Sequence, residues 1–335
     1  MSARGETLKL LSERETDKWR IDSSLVTVFY DEKLGSGAFS VVYKGKIRGE
    51  APLCKNNPKT LALQQFRDCV CGVKMLPYFS DTVAYSDFTQ EINFMKSLNY
   101  HPHLVSMLGW VYDERSPMLL VEYCGNGDLL HFVRLKKEEI IYGYDNANCL
   151  KIKNLVSFGW QISNGLEYLC SLGFIHRDVA ARNILVDSNN IAKIGDFGLC
   201  RNSDGHSYYG HRNRLPWKWM APESLEAVKF SEKSDVWSFA VVLYEIFSFG
   251  ATPYNLVEAP RLLAYLKSGQ RLSQPTHCPT AIYLIMERCW DLNPQDRPSF
   301  GELSRELAAI LENATDNYGY VIATSNYQQS DTADE

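Results

Sequence analysis

No apolar run in this 335-residue chain is long enough to cross a bilayer. The most apolar stretch, Val236 to Phe247, is too short and contains Glu245, so a buried core helix is the better reading. An apolar leader is also missing, because Met1 to Arg20 is polar and charged, so no secretory segment is expected. Positive charge is not in excess: a net charge of −5 argues against nucleic acid as a main partner. The nine cysteines are odd in number and scattered, which points to reduced thiols in the cytosol rather than a disulfide framework. Cys69 and Cys71 have no second pair to complete a zinc set and read as strand residues. No repeat at solenoid spacing occurs, and no Gly-x-x-x-x-Gly-Lys-Ser/Thr loop. What remains is an ordinary folded protein, 45% hydrophobic, with length for about two compact lobes or domains.

The richest stretch is His176-Arg177-Asp178-Val179-Ala180-Ala181-Arg182-Asn183. A helical pattern precedes it, with apolar residues at Leu155, Phe158, Ile162, Leu166 and Leu169, and the strand Ile184-Leu185-Val186 follows. A turn at Asp187 to Asn190 returns the chain through Ile191 to Ile194 and on to Asp196-Phe197-Gly198. Asp178, Asn183 and Asp196 are therefore expected to converge. An Asp to hold a hydroxyl, with an Asn and a second Asp to hold divalent metal, is what phosphoryl transfer to an alcohol requires. His-Arg-Asp, Asn and Asp-Phe-Gly at this spacing resemble the catalytic and metal-binding segments of a protein kinase.

Other segments fit that resemblance. Val26 to Tyr30 reads as a strand, followed by Leu34-Gly35-Ser36-Gly37-Ala38-Phe39-Ser40 and the strand Val41-Val42-Tyr43. A tip without side chains can lay backbone N–H groups on phosphates. It resembles a kinase glycine-rich loop, with Ser40 where the third glycine is usual. Lys44 to Asp68 reads as a polar surface insertion between two strands. Lys74, in Cys69 to Leu76, matches the phosphate-binding lysine, with Gly72 where alanine is usual. Phe88, Ile92, Met95 and Leu98 mark a helical stripe that Glu91 shares, and a carboxylate facing a core needs a cation. Lys74 is the natural partner. Met118 to Val121 then runs into a glycine-bearing turn resembling the kinase hinge, with Val121 as gatekeeper and the Glu122 carbonyl and Cys124 backbone on the adenine edge. His101 and His103 lack a third ligand nearby and read as loop residues.

The expected fold is α+β, the bilobal protein kinase fold: an N-lobe antiparallel five-stranded sheet plus one helix, and a mainly helical C-lobe. The expected boundaries are a mobile arm at 1–24, a kinase domain at 25–311 and a disordered tail at 312–335. Within the domain lie an N-lobe at 25–121, a hinge at 122–127, a C-lobe at 128–311 and a short insert at 135–148. The resemblance implies ATP and Mg²⁺ as cofactors. Asp178 would act as base, Lys74 (set by Glu91) would hold phosphates, Arg182 would offset γ-phosphate charge, and Asn183 and Asp196 would hold metal. The nucleotide-binding set would be Leu34 through Val42 with Gly72, Lys74, Val121, Glu122, Cys124 and Leu185.

Ala180 with Arg182, and the Leu215-Pro216-Trp217-Lys218-Trp219-Met220-Ala221-Pro222-Glu223 segment, resemble tyrosine kinases rather than serine/threonine kinases. The insert and the Asp17-Lys18-Trp19-Arg20-Ile21 lead-in resemble the split receptor-type group (FGF, PDGF and VEGF receptors), without extracellular or transmembrane parts. Tyr208 and Tyr209 match activation-loop phosphosites, with Arg177 and Arg201 to receive phosphate. Asp235 would bond the catalytic-loop backbone, and Arg297 would pair with Glu223. The implied partners are protein substrates bearing tyrosine, a homodimer or trans-phosphorylating partner, and SH2-type readers of Tyr318, Tyr320 and Tyr327. The implied location is cytoplasmic, with recruitment to the cytosolic face of the plasma membrane left open. A nucleotide-binding scaffold without transfer activity finds support only in Ser40 and Gly72.

Overall fold

The computed structural model describes residues 17–37, 40–77, 79–113, 116–142, 150–203 and 215–316. The chain divides into two compact units. One is built from the chain up to Gly127 together with Ile184–Arg201, the other from Asp128–Asn183 and the chain from Asn202 onward. This differs from the contiguous boundaries expected from sequence, which put residues 184–201 with the second part.

In the first unit, β1 (Val26–Ser36), β2 (Val41–Ile47), β3 (Val70–Met75), β4 (Met107–Val111) and β5 (Met118–Glu122) form an antiparallel sheet in the order β1-β2-β3-β5-β4. The connection from β2 to β3 is not a bare polar loop. It folds into α1 (Pro52–Asn56), opened by a proline at its first turn, and a 3-10 turn at Leu61–Phe66. Together they bury Pro52, Leu53, Cys54, Leu63 and Phe66. Five apolar side chains out of water explain why the insertion is ordered.

Residues 17–24 are not a loose arm either. Trp19 and Ile21 are buried. Their backbone extends the sheet along β4: Trp110 N donates to Trp19 O and Ile21 N donates to Trp110 O, both at 3.0 Å. Gly109 lets these pieces close. A Cβ there would sit 2.9 Å from Pro52 Cγ and 3.1 Å from Trp19 O. Gly109→Ala is expected to destabilise the protein by about 1–3 kcal/mol, measured by thermal melting, because backbone and a ring must both retreat.

Helix α2 (Thr82–Ser97) starts where the Asp81 side chain accepts from Ala84 N at 2.8 Å. It buries Phe88, Glu91, Ile92 and Met95. The hairpin of β6 (Ile184–Val186) and β7 (Ala192–Ile194) joins the same unit. Val105 N donates to Ile194 O at 2.8 Å, Ile194 N to His103 O at 2.9 Å, and Val186 N to Gly127 O at 2.8 Å.

The second unit is mainly helical: α3 (Leu129–Leu135), α4 (Lys137–Tyr142), α5 (Ile152–Ser171), α6 (Pro222–Ala227), α7 (Glu232–Phe247), α8 (Ala259–Lys267), α9 (Thr280–Cys289) and α10 (Phe300–Asp316). Helix α7 is the hydrophobic centre expected of Val236–Phe247, and Trp237, Phe239, Val241 and Val242 are fully buried there. Helix α4 occupies the first half of the expected insert, whose remaining residues 143–148 lie outside the described ones. Helix α10 runs to Asp316, five residues past the expected domain end at Leu311. Among the described residues no helix is long and apolar enough to cross a membrane.

Candidate active site

In the first unit the β1–β2 hairpin pairs Gly35 with Val42 and Ser36 with Val41, and Gly37 N donates to Ser40 O at 2.8 Å. A Cβ at Gly35 would meet nothing within 4 Å, so the space beside the strand stays open. Leu34 is exposed and Val41 and Val42 are half-buried, while Ala38 and Phe39 lie outside the described residues.

Strand β3 sets Lys74 opposite Val42 and Leu119. Its ammonium stands 2.6 and 2.8 Å from the two Glu91 oxygens and 3.4 Å from Asp196 Oδ1. Burial alone would push Lys74 down, but the carboxylates of Glu91 and Asp196 more than offset it and hold Lys74 above the ordinary lysine range. Asp196 adopts a left-handed conformation, with φ 54°, that a non-glycine residue rarely takes. Next to it Phe197 is buried, its ring 5.4 Å from that of Phe94 on α2.

Gly72 pairs with Val121 across β3 and β5. A Cβ on Gly72 would lie 3.0 Å from Val121 Cγ2, so the glycine makes room for the branched neighbour. The side chain of Glu122 is occupied: Lys193 Nζ is 2.8 Å from Oε1, and Ser106 N donates to Oε2 at 3.1 Å. Cys124 is buried, which pushes its thiol up to about 12 and keeps it neutral. Leu185 is half-buried on β6.

In the second unit the His176–Asn183 loop is held from below by α7. Asp235 accepts from His176 N at 2.6 Å and from Arg177 N at 3.0 Å. Burial raises the Asp235 carboxyl to about 6, against the pull of those N–H groups. Arg177 has φ 69°, a strained value that the loop holds while Asp235 fixes the amides of His176 and Arg177. Asp178 pairs with the Arg182 guanidinium, and Asn183 Nδ2 donates to the Asp178 carbonyl at 2.8 Å. Glu245, the charged residue inside the apolar α7, accepts from both Ala181 N and Trp219 Nε1 at 2.9 Å. Burial pushes it up to about 7. The Arg182 guanidinium lies over the Trp219 ring, 4.5 Å from its centroid. One carboxylate thus fixes both the loop and the Pro216–Trp219 segment. Glu223 and Arg297 form the expected two-point pair at 2.7 and 2.9 Å.

Asp178 and Asn183 thus belong to the second unit, whereas Lys74, Glu91 and Asp196 belong to the first. Tyr208 and Tyr209 lie outside the described residues. With this geometry in hand, a family model described as protein tyrosine and serine/threonine kinase matches residues 28–307. The chain belongs to that family. Its five-stranded antiparallel sheet is the kinase N-lobe and its helical unit the C-lobe.

A Caenorhabditis elegans protein named "Putative tyrosine-protein kinase" is 43% identical over 325 residues, covering 94% of this kinase chain and 38% of that protein. The chain therefore spans less than half the length of this relative. Sequence reasoning missed three residues that organise the kinase domain: Asp17, Lys193 and Glu245. Lys193 and Glu245 are charges among apolar neighbours, which is a usable signal, whereas Asp17 lies in a charged stretch and carries none. Their partners are distant in sequence, and that concealed them.

Proposed function

We propose that this kinase transfers the γ-phosphoryl group of Mg-ATP to protein tyrosine. The observation that carries the reading is Lys74, kept cationic in a nearly dry setting and aimed by two bonds from Glu91. A point charge so fixed suits phosphate oxygens. By donor chemistry, Asp196 of the first unit and Asn183 of the second would each suit Mg²⁺, a hard cation that prefers oxygen ligands. Asn183 spends its Nδ2 on the Asp178 carbonyl, which leaves its oxygen as the ligand atom. When bound, the ion would neutralise charge developing on the phosphates.

In the transfer, the bond from tyrosine Oη to the γ-phosphorus forms as the β–γ bridge bond breaks, and the phenol proton passes to Asp178. Arg182 pairs with Asp178 and would offset charge on the γ-phosphate. The glycine-rich hairpin, Val121, the Glu122 carbonyl, the Cys124 backbone and Leu185 would enclose the nucleotide. Tyrosine as acceptor is supported by Ala180, by Arg182 stacked on Trp219 and by Pro216 as an apolar rest for a ring. The name of the nematode relative points the same way.

Phosphorylation of Tyr208 and Tyr209 by a second copy would raise activity. SH2-type readers would bind the phosphorylated tail tyrosines. The subgroup we assign is the split receptor-type kinases, acting in the cytoplasm. Incubating purified protein with Mg-ATP and a mixed peptide library, followed by phosphoamino-acid analysis, should yield phosphotyrosine. Phosphoserine or phosphothreonine as the main product would overturn the tyrosine assignment.

A further inference from the structure

Helix α2 carries Glu91, and the Lys74–Glu91 pair holds only while that helix keeps both its height and its rotation. The helix is capped by Asp81, packed through Phe88, Ile92 and Met95, and tied at mid-length by Glu91. Its last turn has a further tether. Lys96 Nζ lies 2.5 Å from Asp17 Oδ2, and the same oxygen accepts from Trp110 Nε1 at 2.8 Å. The other oxygen, Oδ1, accepts from Trp19 N at 3.0 Å. Both oxygens are therefore engaged, and the Lys96 ammonium also sits 4.5 Å from the centre of the Trp110 ring.

The base of this tether is firm. Trp19 to Ile21 are hydrogen-bonded along β4, the outermost strand of the sheet, and Trp19, Ile21 and Trp110 are buried. The Asp17 and Lys96 side chains keep only 15% and 16% of their surface exposed, so solvent screens the pair far less than it screens a surface ion pair. Burial pushes the Asp17 carboxyl up, but Lys96 and the two N–H donors more than offset it, and it lies below the ordinary range.

Geometry gives this contact a job. Successive helical residues turn by about 100°, so Lys96, five residues after Glu91, projects roughly 140° around the axis from it. A single tether at Glu91 would let the helix pivot about that point. Two tethers on different faces, about 7.5 Å apart along the axis, fix rotation as well as height.

We propose that Asp17 is a positioning residue for phosphoryl transfer: by holding Lys96 to the β4 edge it sets the rotation of α2 that aims Glu91 at Lys74. The inference rests on the phosphate-holding role of Lys74 in the proposed function. The test compares the full chain with Asp17→Asn, Lys96→Met, Lys96→Arg and the Asp17→Asn/Lys96→Met double variant. Hydrogen exchange of the α2 amides in nucleotide-free protein is read beside kcat and both KM values.

Asp17→Asn and Lys96→Met should each speed exchange across the second half of α2. Each should also lower kcat about five- to tenfold with peptide KM unchanged. Lys96→Arg should restore kcat, and the double variant should be no worse than either single change. A lower melting temperature with wild-type kcat and wild-type α2 exchange would show an anchor of stability only and would overturn the proposal. So would a double variant whose losses multiply. Because exchange needs no turnover, a wild-type protein that transfers no phosphate while Asp17→Asn still loosens α2 would strike the kinase reading alone and support the hold of Asp17 on the helix.

Discussion

Asp178→Asn should lose about 10²–10⁴-fold in kcat while melting at the wild-type temperature. The size follows from removing the group that accepts the phenol proton. Unchanged stability follows from the local bonding: Asn183 is held by the Asp178 carbonyl, not its carboxylate, and the loop amides of His176, Arg177 and Ala181 are held by α7. An amide of the same shape disturbs none of these, and its oxygen can still accept from the partly exposed Arg182 guanidinium. Steady-state phosphorylation of a tyrosine peptide, with nucleotide affinity measured in parallel, checks both halves. Activity within twofold of wild type would remove Asp178 from the role of base.

The second large effect is on stability. Arg297→Met should destabilise the protein by about 3–5 kcal/mol, read as the shift in a urea unfolding curve. Arg297 is fully buried, and besides Glu223 its guanidinium donates to the Asp291 and Lys233 carbonyls, each at 2.8 Å. It also lies 5.0 Å from the centre of the Trp237 ring. Methionine fills most of the volume but removes the guanidinium donors from the Glu223 carboxylate and from the Asp291 and Lys233 carbonyls. Glu223→Gln should cost less, because the amide oxygen can still accept from the guanidinium. Equal losses for the two variants would mean that charge, not hydrogen bonding, dominates the site.

Much of this arrangement was legible in the sequence because it rests on local pattern. Glu91 falls on the stripe of Phe88, Ile92 and Met95, and a carboxylate on such a stripe demanded a cation, which the structure supplies at 2.6 Å. Motif resemblance points to Asp235 and to the Glu223–Arg297 pair, and in the structure Asp235 bonds the loop amides while Arg297 bonds Glu223. The insertion between β2 and β3 hid its order because Pro52, Leu53, Cys54, Leu63 and Phe66 are scattered among polar residues without a helical or alternating period. The lead-in at Asp17–Ile21 reads as part of a mobile arm because nothing nearby in sequence pairs with it. Its partners, Lys96 and Trp110, come some 80 to 90 residues later. In sequence Glu245 signals only that its helix does not span a membrane, because its bonds to Ala181 and Trp219 depend on how three distant segments pack.

The first unit is discontinuous, and that has a consequence for the order in which the protein is made. Its sheet is complete by Glu122, but the β6–β7 hairpin that Val105, His103 and Gly127 hydrogen-bond is not synthesised until Ile194 has been added, and the unit itself ends only at Arg201. Residues 128–183, which belong to the other unit, leave the ribosome in between. Neither unit can finish before the other has begun, so on the ribosome the two must mature in overlap rather than one after the other. A nascent chain stalled at residue 183 would carry a β-sheet still missing its last hydrogen-bonded neighbour. Protease sensitivity of chains stalled at 183 and at 230 would register the moment of closure.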